Sequence, residues 1–128
     1  MRLAPVFLAS VALLLSVPAL ALDCVQAVTT PDINACAAAD QKKVEAELNV
    51  VYKRVLQNLE LANTETENDS KLKAALIDAQ RAWVKFREAD CKALFTRYEG
   101  GTIRTVMYLG CMQQHAEQRI KDLAEYEK

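Results

Sequence analysis

Few chain breakers and few chemical specialists occur in this sequence. Its 128 residues hold three prolines, three glycines, one tryptophan and one histidine. No stretch alternates apolar and polar residues with the period of two that a half-buried strand requires, so no strand is predicted. With His115 as the single histidine there is no His-Glu-x-x-His zinc motif, and no serine or cysteine has an evident geometric claim on that imidazole as a triad partner. A glycine-rich phosphate loop, a calcium loop and a Cys-x-x-Cys pair are also missing, which leaves nucleotide-dependent and thioredoxin-like chemistry without support. Basic residues number 16 against 17 acidic ones and form no cluster, so nucleic acid is not an expected partner.

One long apolar run is present, and it lies at the N-terminus. Arg2 is followed by Leu3 to Val17, then Pro18 and the small-x-small triplet Ala19-Leu20-Ala21. This is the pattern of a secretory signal peptide cleaved after Ala21. The run falls short of the ~20 apolar residues of a spanning helix, so the mature chain is expected to have no membrane span. Lipid attachment at Cys24 is disfavoured because Asp23 stands where lipoprotein processing places a small residue. The expectation is a periplasmic or secreted bacterial protein whose residues 22 to 128 form a single domain.

Four cysteines follow the leader: Cys24, Cys36, Cys91 and Cys111. An even number in a small exported domain reads as two disulfides, with three pairings open. Thr30-Pro31-Asp32 is a helix start, with Thr30 as N-cap and Pro31 in the first turn. Apolar residues then recur at three and four through Ile33, Cys36, Val44, Leu48, Val51, Tyr52, Val55 and Leu59, predicting a helix over 31–61. After a polar stretch, Ser70 caps a second helix over 70–98, with an inward stripe of Leu72, Leu76, Ala79, Trp83, Phe86, Asp90, Leu94 and Tyr98. Gly100-Gly101 ends it, a glycine taking the left-handed position at the helix C-terminus. Thr102 caps a third helix running to about 126.

The fold class predicted is all-α, an antiparallel three-helix bundle with two disulfides. Cys91 and Cys111 each lie ten residues from position 101. At the helical rise, both therefore sit ~15 Å up their own helices at matching height, which favours Cys91 with Cys111 and leaves Cys24 with Cys36.

Asp90 on the inward stripe needs a partner, either Arg87 one turn earlier or a residue of a neighbouring helix. Trp83 and Phe86 are expected to fill the core. Met107, Cys111, Met112 and His115 fall at helical spacing and offer soft ligands of the kind copper takes, but methionine at this spacing more often fills core gaps and Cys111 is assigned to a bridge. No catalytic residue and no cofactor or metal ligand is assigned. Glu60, Glu65, Glu67 and Asp69 put four acids into ten positions and form a candidate contact surface for a basic partner.

Asn34-Ala35-Cys36, Leu48-Asn49-x-x-Tyr52, Gln80-Arg81-Ala82-Trp83-x-x-Phe86-Arg87-x-x-x-Cys91, Gly100-Gly101-Thr102, Cys111 and Arg119 together resemble the lysozyme inhibitor LprI-like family of small secreted bacterial proteins. The resemblance spans Cys24 to Leu123. It implies an exported, bridged helical domain that binds rather than catalyses, with a c-type lysozyme as the implied partner. The chain lacks the family's lipid attachment signal, and His115 and Ala116 stand where an apolar residue and a threonine are usual. On this reading Gln80, Trp83, Phe86, Arg87, Asp90, Gly100, Gly101 and Arg119 are structural. The acidic segment, with Arg97 and Arg104 beside the Gly-Gly turn, is then the candidate partner-binding surface. The alternative is an envelope interaction module with no effect on lysozyme.

Overall fold

The computed structural model describes residues 22–61 and 67–127, so the expected signal peptide lies outside the described residues. Helix α1 spans Thr30–Leu61, α2 spans Glu67–Arg97 and α3 spans Arg104–Ala124, closed by a 3₁₀ turn at Glu125–Glu127. There is no strand among the described residues. The architecture is the expected three-helix bundle. Thr30 and Asn34 of α1 share a cavity with the α2–α3 turn, and Arg54 of α1 reaches Glu127 at the other end. Hence α1 and α3 run parallel and α2 runs antiparallel to both.

The helix ends depart from expectation in ways that capping physics explains. Thr29, not Thr30, caps α1: its carbonyl accepts from the Ile33 N–H at 2.9 Å and its Oγ1 accepts from the Asp32 N–H at 3.3 Å. The Thr29 hydroxyl donates in turn to the Asp32 carboxylate, which holds the capping oxygen in place. Helix α2 already includes Glu67, with Glu67 and Asp69 in its first turn, where acids favour the positive end of the helix dipole. Helix α3 starts later than expected, and its N-cap is Ile103 without a side-chain cap rather than Thr102.

The core is built mainly between α1 and α3. Leu48, Val51 and Val55 of α1 meet Ala116 and Leu123 of α3, with Leu76 of α2 completing the cluster and Val44, Tyr52, Leu59, Trp83 and Ile120 packed around it. Ala116 is fully buried, and its small side chain lets α1 and α3 approach closely. Each fully buried leucine in this cluster contributes about 1.5 to 3 kcal/mol. At the far end Arg54 Nε donates to Glu127 Oε1 at 2.6 Å, and that hydrogen bond and charge hold the guanidinium above its ordinary pKa.

Helix α2 is the weakly packed member. Its buried residues are Leu76, Arg87 and Cys91, so one aliphatic side chain, one charge and one half-cystine anchor 31 residues. The inward stripe follows Leu76, Gln80, Trp83, Arg87, Cys91 and Leu94, none of them exposed. Phe86 is 58% exposed and does not fill the core, and Ala79 and Asp90 are exposed as well. Positions 86 and 87 point 100° apart around the helix, and hydropathy alone prefers the phenylalanine. The bundle instead turns the arginine inward, because a carboxylate and an indole wait for it there.

Candidate functional site

The Gln80–Cys91 motif forms a polar girdle inside the bundle. Arg87, 5% exposed, donates from Nη1 to Glu45 Oε2 at 2.7 Å and from Nη2 to Glu45 Oε1 at 3.3 Å. Its guanidinium lies 4.5 Å from the Trp83 ring centroid, and that of Arg119 lies 5.8 Å from the same ring. Arg119 Nε donates to Gln80 Oε1 at 2.9 Å, tying α3 to α2. Gln41 Nε2 supports the Glu45 carboxylate at 3.4 Å. All three helices thus meet at one indole faced by two cations, an arrangement that desolvation strengthens. Glu45, seven residues before Tyr52 on the same side of α1, was not singled out by the sequence pattern. With Asp40 and Glu47 nearby and lysines at 42 and 43, its charge gives no sign of burial.

Arg87 therefore neutralises Glu45, not Asp90. Asp90 is met across the hairpin by His115, whose Nε2 lies 2.9 Å from Asp90 Oδ2, and the Phe86 ring stands edge-on to that imidazole at 5.6 Å. No free cysteine is found among the described residues for this pair to activate. Cys24 joins Cys36 and Cys91 joins Cys111, both with Cα atoms 5.6 Å apart, as the spacing predicts. Met112 is buried, whereas Met107, Cys111, His115 and Asp90 share a surface cavity of about 350 Å³. The four-ligand soft set suggested by spacing is therefore split between core and surface.

The α2–α3 turn is built without the strained conformation that its glycines suggested. No glycine among the described residues has positive φ. The helix instead tightens: Glu99 donates to the Thr96 carbonyl at 3.1 Å and Gly101 to the Tyr98 carbonyl at 2.9 Å. Arg104 Nη1 donates to the Glu99 carbonyl at 3.3 Å and its guanidinium lies 5.3 Å from the Phe95 ring, so this arginine clasps the turn. Arg97 is exposed in the last turn of α2. A shallow cavity at the tip is lined by Thr30, Asn34, Glu99, the two glycines and Arg104.

The acidic segment is partly neutralised, once by a base at i+4 on α2 and once by a base from across the α1–α2 hairpin. Glu60 meets Lys73 at 3.1 Å and Glu67 meets Lys71 at 2.6 Å. Asp69 is half-buried, and Glu65 lies outside the described residues. The segment and the Gly-Gly tip stand at opposite ends of the bundle, since α2 separates them along its whole length. No helix among the described residues is long and apolar enough to cross a membrane.

Comparison with known proteins covers most of this architecture. The family model for the lysozyme inhibitor LprI matches residues 23–123. An uncharacterized protein of Rhizobium meliloti (strain 1021) is 31% identical over 107 residues, a match that takes in 80% of this chain and 77% of that one. The crystal structure of a DUF1311 family protein from Pseudomonas putida KT2440 superposes with a TM-score of 0.64 at 24% identity, over 77% of this chain and 93% of the other. That likeness shows a shared fold.

Proposed function

Because the chain belongs to the LprI lysozyme inhibitor family, we propose that it is an exported protein that binds and inhibits a c-type lysozyme after removal of residues 1 to 21. The observation that carries this reading is the family match, which takes in both disulfides, the polar girdle and the Gly-Gly tip. The family is named for an inhibitor rather than a catalyst, and the two disulfides agree with an oxidising compartment outside the cytoplasm.

The chemistry of the two ends suits such a partner. A c-type lysozyme is a basic protein whose cleft works through a pair of carboxylates. A rigid tip carrying Arg97 and Arg104 offers guanidinium groups to carboxylates in a cleft, and the acids at the α1–α2 end, a bundle length away, offer a separate contact to a basic partner. The Cys91–Cys111 bridge and the Arg104 clasp keep that tip preorganised, which lowers the entropy lost on binding. Lysis of bacterial cells by a c-type lysozyme, followed by turbidity with increasing mature protein, tests the reading. Dose-dependent inhibition that weakens in Arg97→Glu/Arg104→Glu is expected. Undiminished lysis at about 100 μM mature protein, where a complex with a Kd of about 1 μM would be saturated, refutes it.

A further inference from the structure

The Asp90–His115 pair lies against the Cys91–Cys111 bridge, and neither the core nor the proposed lysozyme contact uses it. The sulfur atoms of Cys91 and Cys111 and a ring nitrogen of His115 all lie within 4.8 Å of one another. We propose that these three residues form a redox-gated zinc site: when a dithiol reductant opens the bridge, the two thiolates and the imidazole take up one Zn²⁺, and the metal then holds the hairpin in place of the S–S bond.

Three observations converge on this. First, two thiolates and an imidazole are a zinc donor set, the softness and charge suiting that cation over hard ones. A tetrahedral zinc with ~2.3 Å bonds to sulfur keeps its two sulfurs about 3.8 Å apart. With the Cα atoms 5.6 Å apart, side-chain rotation and a small parting of α2 and α3 suffice to reach that separation. Second, Asp90 Oδ2 engages His115 Nε2 at 2.9 Å, which leaves Nδ1 as the nitrogen for the metal. A carboxylate on the far nitrogen of a histidine ligand is the support that fixes its tautomer and raises its basicity. Third, the cavity of about 350 Å³ lined by Asp90, Met107, Cys111 and His115 gives a route in from solvent and room for water in the fourth position.

The chemistry balances. The bridge gains two electrons and two protons from the dithiol, which is itself oxidised to a disulfide. Zn²⁺ then displaces the two thiol protons, and the imidazole binds as the neutral base. In the oxidised protein the sulfurs are bonded to each other and no thiolate is on offer, so the site exists only in the reduced state. This inference is independent of lysozyme binding.

The test uses the mature chain with Cys24→Ser/Cys36→Ser, so that the remaining thiols are those of the site. After reduction with a phosphine, Zn²⁺ is titrated against a chromophoric chelator, with Co²⁺ as an optical probe and circular dichroism followed in parallel. One equivalent of Zn²⁺ is expected, with thiolate-to-cobalt charge-transfer absorption, and none in the oxidised protein. His115→Ala should weaken binding by at least about a hundredfold and Asp90→Asn by about 10- to 100-fold, the usual effect of losing such a supporting carboxylate. The proposal is overturned if the reduced chain takes up no stoichiometric zinc, if His115→Ala binds equally well, or if helicity lost on reduction does not return with zinc. Should the double serine variant lack helicity even when oxidised, the same titration on the reduced wild-type chain decides the matter, with Cys111→Ser expected to remove one equivalent.

Discussion

Replacing Glu45 by alanine would leave the Arg87 guanidinium facing Trp83 with no carboxylate, at a position where Arg87 is 5% exposed. Breaking a buried ion pair from one side destabilises by about 3 to 5 kcal/mol, because the remaining charge stays desolvated. The Glu45 side chain is 31% exposed, so water can enter and replace part of what is lost. The expected loss is therefore about 2 to 3 kcal/mol, a large share of the roughly 5 to 15 kcal/mol of a whole domain. For a domain of this size that lowers the melting temperature by about 10 to 20 °C. By contrast Asp90→Asn, at a carboxylate 52% exposed, should change stability by less than about 0.5 kcal/mol. Glu45→Leu/Arg87→Met, which removes both charges and keeps the volume, should come within about 1 kcal/mol of wild type. Urea unfolding read by helical circular dichroism and by the fluorescence of Trp83 reports each variant, the indole serving as a local probe of the girdle. The reasoning fails if Glu45→Ala loses under about 0.5 kcal/mol, if the two single changes simply add in the double variant, or if Asp90→Asn is the more damaging.

Two further outcomes follow from the same structure. Cys91→Ser/Cys111→Ser should lower unfolding free energy by about 3 kcal/mol, the chain-entropy value for a loop of 20 residues, whereas Cys24→Ser/Cys36→Ser should lose under about 1 kcal/mol. The difference arises because residues 22–26, with Val25 89% exposed, pack little in the native state and regain most of their freedom there too; equal losses in urea melts would contradict this. Gly100→Ala should be neutral or stabilise by up to about 1 kcal/mol, since a Cβ there meets nothing within 4 Å and no positive φ stands in its way. A thermal melt showing Gly100→Ala destabilised by more than about 1 kcal/mol would restore the left-handed reading of the turn.

Much of the fold was legible because helices write their period into the sequence. The apolar recurrence from Val44 to Leu59 marked the buried face of α1, and the equal spacing of Cys91 and Cys111 about the turn paired them correctly. The structural motif around Trp83 was legible as a unit, but its partners were not. Arg87 and Asp90 looked like a pair at i, i+3, yet their side chains leave α2 on different sides, one toward α1 and one toward α3. Phe86 and Arg87 exchanged the places that hydropathy assigns them. Glu67 and Lys71 are an i,i+4 pair within α2 that the sequence already offered, whereas Lys73 reaches Glu60 only because the α1–α2 hairpin folds.

The sequence by itself determined the class of fold, the helix count, the paired cysteines and the export signal expected at the N-terminus, because these depend on local periodicity, turn residues and composition. Only the tertiary structure decided which charges pair between helices. Glu45 joins Arg87 across 42 positions and Asp90 joins His115 across 25, and such contacts depend on helix phase and crossing geometry that no single-helix pattern encodes. The same packing set an imidazole and its carboxylate partner against the Cys91–Cys111 bridge.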